Sequence, residues 1–434
     1  MSYIENKNQK NPNPMNVKTT NLRPLRGPLP LVALLLSSCL SSFLCPTLAQ
    51  NPSKIQEDLF VQAADYSKRH SGHAVLIQHQ GKILYERYDN WGADTPHMLA
   101  SGTKSFSGVL AMFAVQDGLL ELDEPVSKTI DSWKKDPTKS KITIRHLLTL
   151  CSGLDPADAA FPNRNSGLLN RNPILSQRQN RIARQDQAQG LSKLATGNWF
   201  ADSLEVPMKY QPGQKFDYGP SHFYVFGELI NRKLQNQTQI QAKTFEQYAK
   251  LRILDPLGIQ VGRWGKDASG NVNIPGGMML TARNWAKFGQ FVLDKGSIKK
   301  TQTINLLKED LLMQCFEPSA TNNKYGLTWW LNGVDGPADS GLSDNDSPRE
   351  APTSNLRDRV REEALLREAD TDIRQNGTPL KVYMAAGLGK QRLYVIPKYD
   401  LVVVRFAEPS SQGARFQNDD FMKPILEALV SEKP

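Results

Sequence analysis

In the stretch HMLASGTKSFSGVLAMFAVQDG, His97 to Gly118, Ser101 and Lys104 stand three residues apart at the head of an apolar run. Residues at that spacing share one helix face, so hydroxyl and amine can meet while Val109, Leu110, Met112 and Phe113 anchor the segment. A lysine in apolar surroundings is expected to lose proton affinity, because burial disfavours its charged form. A neutral amine beside a serine takes the hydroxyl proton, which makes Ser101 a candidate nucleophile and Lys104 its partner. The start of a helix also presents unpaired backbone N–H groups to charge developing on a substrate oxygen.

Ser-x-x-Lys alone is a cheap pattern: Ser132/Lys135 and Ser297/Lys300 match it too. Those pairs sit in DSWKKDP and DKGSIKK, polar segments with proline or glycine close by and no long apolar helix behind them. A capping serine with a solvated lysine is the ordinary reading there. The apolar run after Lys104 sets the first pair apart, and the rest of the chain must position it.

The run HAVLIQHQGKILYERYD, His73 to Asp89, alternates apolar and polar residues around Gln80-Gly81 and predicts a β-hairpin. Near the other end KVYMAAG predicts a strand, QRLYVIPKYDLVVVRF a second hairpin turning at Pro397 to Asp400, and FMKPILEALVSE an amphipathic helix. Helical patterns fill the middle, as in IRHLLTL, FYVFGELINRKL and ARNWAKFGQFVLDKG. The economical architecture is a sheet assembled from both chain ends with a mainly helical lobe inserted between them. Residues 156–200, rich in Asn, Gln and Arg, and residues 333–378, polar and then highly charged, read as insertions in that lobe.

At 434 residues, 39% hydrophobic and 22% charged, the chain can bury a large core. Its formal charge is +9, but residues 1–49 hold five of the basic residues and one acid, leaving +5 on the remainder. That excess is mild and dispersed, and no arginine-aromatic stripe or finger spacing argues for nucleic acid. The six histidines form no His-x-x-x-His pair, so a metal has no evident home, and nothing calls for a cofactor. Cys151 and Cys315, the only cysteines beyond the first 49 residues, resemble no disulfide framework; Cys151 in HLLTLCSGL is expected to be a buried thiol.

Residues 1–49 predict an export signal: positive charges end at Arg26, an apolar stretch follows, and Thr47 and Ala49 offer a cleavage site before Gln50. Met15 is a possible start that would leave a leader of ordinary length. LLSSC offers an alternative, a lipobox with Cys39 as the lipidated residue, which is the one route to a membrane. The expected location is periplasmic or extracellular.

The order of segments resembles the serine β-lactamase and penicillin-binding-protein superfamily. It is most similar to the class C-type branch that includes carboxylesterases and 6-aminohexanoate-dimer hydrolases. The resemblance spans about residues 65–430 apart from the insertions. It rests on Ser101-Gly-Thr-Lys104, GLLELDEPVSKTI, ITIRHLLTLCSGL, YQPGQKFDYG, GGMMLTARNWAKFGQ, YGLTWWLN and AAGLGKQRLYVIPKYDLVVVRF. It implies an α/β (α+β) fold of β-lactamase/transpeptidase type over residues 50–434. The α/β lobe would come from about 65–145 and 380–432, and the helical lobe from about 146–379.

The resemblance also implies roles. Ser101 is the nucleophile, Lys104 its partner, and Tyr218, in the place of a Tyr-x-Asn motif after a Pro-Gly turn, the phenol that shuttles the proton. The motif's asparagine falls on Pro220, with Ser221 as the nearest substitute. The third motif, Lys-Thr-Gly or His-Thr-Gly, falls on Ala385-Ala386-Gly387, of which only the glycine remains. Gly387 would let substrate approach the backbone, and the N–H of Leu388 would complete an oxyanion hole with that of Ser101. Lys390 and Gln391 after this turn, and Trp330, are candidate substrate contacts, although tandem Trp329-Trp330 is more often core. His222 is expected to be structural and Asp217 to orient the turn. Tyr88-Asp89-Asn90 and His70-Ser71-Gly72 match the motifs literally but precede the nucleophile, so chance explains them.

The expected activity is an exported serine hydrolase acting on a small ester, amide or peptide-like substrate through an acyl-enzyme, with esterase or amidase favoured over β-lactamase. The alternative is a non-catalytic ligand-binding or envelope scaffold of the same fold, to which Pro220 and the missing third-motif side chains point.

Overall fold

The structure, a computed structural model, describes residues 53–156, 197–333, 373–410 and 415–430. The expected export signal with Cys39, the expected cleavage site before Gln50 and most of the two expected insertions lie outside the described residues. The remainder falls within one compact unit, Asn51–Pro434.

Thirteen strands occur among the described residues, six of them in one antiparallel sheet. The chain enters it through β1 (Gly72–His79) and β2 (Lys82–Tyr88). The two residues between them, Gln80 and Gly81, have φ of 50° and 76°, a left-handed pair whose twist suits a tight hairpin. Three short strands, β3 (His97–Met98), β4 (Arg263–Trp264) and β5 (Met278–Leu280), pair separately in the order β3-β5-β4. β6 (Ser297–Lys299) and β7 (Thr303–Asn305) form a small hairpin, as do β9 (Arg374–Gln375) and β10 (Thr378–Pro379). The main sheet is completed by β8 (Trp330–Asn332), β11 (Val382–Gly387), β12 (Gln391–Ile396) and β13 (Leu401–Ala407), in the order β2-β1-β13-β12-β11-β8. Pairing of β1 with β13, Leu76 opposite Val404, joins the two ends of the chain as expected.

Both faces of the sheet are covered, which explains why β12 and β13 are buried along their whole length. α1 (Lys54–Arg69) and α7 (Asn418–Val430) pack together on one face. α6 (Ala282–Leu293) packs on the other face, with Gly289 against Leu393 and Val402. α2 (Ser105–Gln116), buried from Ser105 to Ala114, is apolar all round and so runs through the interior. Its position is locked by the Ser105 hydroxyl donating to the Thr328 carbonyl at 2.9 Å and the Gly108 N–H to the Thr328 hydroxyl at 3.0 Å. The helical part adds α3 (Ile144–Leu148), α4 (Trp199–Leu204) and α5 (Ser221–Gln235), and one continuous core runs through sheet and helices. No described helix is long and apolar enough to cross a membrane.

Candidate active site

The turn that carries Ser101 departs from the sequence expectation in its geometry. Ala100–Lys104 forms a 3₁₀ turn, and the α-helix begins only at Ser105. In a 3₁₀ turn residues three apart eclipse one another, so Ser101 and Lys104 meet more directly than on an α-helix. The Lys104 side-chain nitrogen, Nζ, lies 2.9 Å from Ser101 Oγ and 2.7 Å from the Pro275 carbonyl oxygen. Lys104 is only 5% exposed, whereas Ser101 is half-buried and reachable. Ala100 is held at φ 48°, a left-handed conformation unfavourable for a residue with a Cβ, immediately before the serine. The surroundings impose it: the Leu99 N–H donates to the Met278 carbonyl at 3.0 Å, and the Thr103 hydroxyl donates to the Ala100 carbonyl at 2.8 Å.

Tyr218 joins this pair. Lys104 Nζ sits 4.8 Å from the centre of its ring and 5.4 Å from that of Phe223. Trp330 stacks on the Tyr218 ring at 6.1 Å and is 2% exposed, so it backs the tyrosine and offers almost no surface to a substrate. Trp329 is core, between Phe288 and Phe316. Pro220 occupies the position before α5, where a missing N–H costs nothing. Ser221 does not replace the motif asparagine: it is fully buried and its hydroxyl donates to the Asp155 carbonyl at 2.8 Å. His222 is a clasp, with Nδ1 2.9 Å from Ser152 Oγ and Nε2 2.8 Å from the Asp217 carbonyl oxygen, and is thereby occupied structurally. Asp217, 3.4 Å from Lys209 Nζ, belongs to the turn it orients.

The end of β11 closes the site. A Cβ at Gly387 would lie 2.1 Å from the Leu99 carbonyl oxygen and 3.1 Å from the Gly102 nitrogen. The glycine expected to admit substrate therefore admits the Ser101 turn itself, because any side chain would hold strand and turn apart. Leu388 follows, 39% exposed beside the site. Gln391 is a correction: it is buried, its amide nitrogen donates to the carbonyls of Leu388 (3.1 Å) and Ala407, and its oxygen accepts from the Ala407 N–H at 2.9 Å. Both amide protons are spent, and at 2% exposure the side chain presents no surface to a substrate. Lys390 is half-buried at φ 62° in the same turn. Ala385 and Ala386 are buried and bring no polar group to the site.

One participant left no trace in the residue pattern. The Pro275 carbonyl fixes Lys104 Nζ, and a backbone acceptor carries no residue-type signal. The only hint was the segment itself, NIPGGMML, whose Pro-Gly-Gly marks a tight approach of main chain to something.

Relatives of the chain identify its family. The family model described as Beta-lactamase matches residues 57–421. Over 181 residues the chain is 28% identical to monacolin J acid methylbutanoyltransferase from Aspergillus terreus, covering 38% of this chain and 37% of that protein. It is 26% identical over 181 residues to lovastatin esterase from Penicillium rubens, covering 37% of each. The chain thus spans little more than a third of the length of these curated relatives. In fold it is similar to a penicillin-binding protein from Bacillus halodurans, with a TM-score of 0.53 at 18% identity over 85% of this chain and 99% of that one. The fold brings Ser101, Lys104 and Tyr218 together, and a family match along most of the sequence makes this chain a member of the Beta-lactamase family.

Proposed function

We propose that the protein cleaves neutral ester or small-amide bonds through an acyl-enzyme on Ser101. The Ser101 oxygen attacks the carbonyl carbon as its proton passes to the Lys104 amine. Tyr218 relays that proton to the leaving alcohol or amine as the scissile bond breaks. Water then adds to the acyl carbon, its proton returns to Ser101 Oγ, and the acid departs. The N–H groups of Ser101 and Leu388 hold the oxyanion at each step. The observation carrying this reading is the 2.9 Å separation of Lys104 Nζ from Ser101 Oγ, with the amine fixed by the Pro275 carbonyl. Fungal relatives named for esterase and acyltransferase activity support acyl chemistry. Ala385 and Ala386 support a neutral substrate, since neither replaces the cation and hydroxyl that would grip a carboxylate.

The test is intact-mass detection of a fluorophosphonate adduct mapped to the peptide carrying Ser101, together with hydrolysis of short-chain p-nitrophenyl esters. Ser101→Ala should abolish both and leave the thermal midpoint nearly unchanged. Undiminished turnover in that variant would remove Ser101 from the mechanism, and a folded wild type without adduct or turnover would favour the ligand-binding scaffold. The proposal includes export, motivated by the Arg26 boundary and the apolar stretch after it. N-terminal sequencing of protein from its native host should begin at Gln50, or find lipidated Cys39; intact residues 1–49 on cytoplasmic protein would refute export.

A further inference from the structure

Two arginines are fully buried inside the sheet. Arg392 of β12 and Arg405 of β13 face each other directly in the strand register, and both are 0% exposed. Among the described residues no carboxylate pairs with either, and Arg392 Nη2 is buried without a hydrogen-bond partner. Two buried cations without a counter-ion are a standing cost to stability, so their placement asks for a reason.

Arg405 secures the end of α1, donating to Ser67 Oγ (2.9 Å) and the His70 carbonyl (2.7 Å), and both arginines also reach the turn after β11. Arg392 Nη1 donates to the carbonyls of Gly387 (3.4 Å) and Gln391 (3.0 Å), and Arg405 Nη1 to that of Lys390 (2.8 Å). Gln391 Nε2 donates to the Leu388 carbonyl. Four carbonyls between Gly387 and Gln391 are thus held by buried side chains, while Gly389 and Lys390 at φ 82° and 62° turn the chain. Ala386 pairs with Arg392, so these two lie on one face, whereas the missing Cβ of Gly387 points from the other face at the nucleophile turn.

The Gly387 carbonyl and the Leu388 N–H belong to one rigid peptide plane. We propose that Arg392 is a positioning residue of the oxyanion hole: from the sheet face opposite the nucleophile it fixes and polarises the Gly387–Leu388 peptide. A carbonyl that accepts from a guanidinium strengthens its own amide as a donor, because hydrogen bonds in series polarise one another. The buried charge, harmful to stability, is thereby spent where negative charge develops in the transition state. This inference rests on the proposed role of Leu388 as oxyanion donor.

Wild type, Ser101→Ala, Arg392→Met and Arg392→Lys are compared on a p-nitrophenyl ester and on the matching thionoester, whose sulfur accepts hydrogen bonds poorly. Arg392→Met should fold with an unchanged or raised thermal midpoint. Its kcat on the ester should fall about tenfold with KM within about twofold, less than the loss of a whole oxyanion donor. The thionoester rate should change little, so the oxygen-over-sulfur preference shrinks, and Arg392→Lys should lie between. Should the Met variant fail to fold, the Lys variant carries the same comparison. The Leu388 amide is also read without turnover, in protein labelled with nitrogen-15 leucine, where its proton should move upfield in the variants. Absence of Ser101-dependent turnover in wild type would count against the hydrolase reading and leave the resonance to decide this one. An unmoved Leu388 resonance, or equal losses on ester and thionoester, would overturn the inference.

Discussion

Adding one methyl group to Gly387 should disable the enzyme more than it destabilises the fold. Its Cβ would fall 2.1 Å from the Leu99 carbonyl oxygen and 3.1 Å from the Gly102 nitrogen, where ordinary contact begins at 3.4 Å. Both neighbours are backbone atoms of the nucleophile turn, held by the Leu99 bond to Met278, and neither can rotate away. Strand and turn must therefore separate by about 1 Å, for which overpacking costs are typically about 1–3 kcal/mol. That separation falls between Ser101 and the Leu388 amide, where a misplacement of about 1 Å costs on the order of a hundredfold in rate. Gly387→Ala should thus remain folded, with a thermal midpoint lowered by several degrees, and lose about a hundredfold in kcat on a p-nitrophenyl ester measured well below the transition. A variant with wild-type kcat would refute the claim that this close approach builds the site. A wild-type midpoint would refute the steric argument itself.

His97 is 2% exposed between Trp91 and Phe406, and burial lowers its pKa from 6.5 to about 4. The unfolded chain then binds the extra proton between those values, so stability is full above pH 6.5 and falls by about 3 kcal/mol on the way to pH 4. His97→Phe should flatten that acid limb, and an unchanged dependence of thermal midpoint on pH between 4 and 6.5 would contradict it. Cys151 and Cys315 are free and buried, and burial raises both thiol pKa values. Neither should react with a disulfide-exchange reagent until denaturant is added, so a thiol titrating in the native state would be a refutation. Catalytic efficiency on a neutral ester should exceed that on nitrocefin by tenfold or more, the worth of one missing charge-assisted bond at about 1.5–3 kcal/mol. Comparable turnover would overturn the selectivity argument, and its loss in Lys390→Ala would identify Lys390 as the replacement cation.

The parts of the fold legible in the sequence were those written in periodicity. Alternation in HAVLIQH and KILYERY with Gln80-Gly81 between them admits little but a hairpin, and the β13 run LVVVRF had to be buried on both faces. The meeting of Ser101 and Lys104 was legible because side-chain chemistry and spacing coincide with an apolar helix. The 3₁₀ form of their turn was not, since residues three apart approach in either helix type. Gln391 and Ser221 misled for a common reason: a polar residue beside a motif looks like a substrate contact until its long-range partners are known. Those partners, Ala407 and Asp155, lie 16 and 66 residues away. The arginines did leave a signal, a charge interrupting each of two apolar strands. What it meant depended on β12 lying beside β13 with the carbonyls of the 387–391 turn within reach of both side chains.

The motif positions that fail in this chain are those where side chains are expected to act: Pro220 for asparagine, Ala385 and Ala386 for a cation and a hydroxyl. Around Ser101 much of the polar work falls instead to main chain. The Pro275 carbonyl orients Lys104, and the Ser101 and Leu388 amides are proposed to hold the oxyanion. Backbone groups cannot be deleted by substitution, only moved, so their function is carried by whatever fixes their position. In this protein that is done by Gly387 against Leu99, by Thr103 against Ala100, and by Gln391, Arg392 and Arg405 behind the turn. On the proposed reading, a site built in this way keeps its acyl-transfer chemistry while it loses grip on a charged substrate, because the groups it lacks are the ones that would bind a carboxylate and the groups it keeps are held by the backbone.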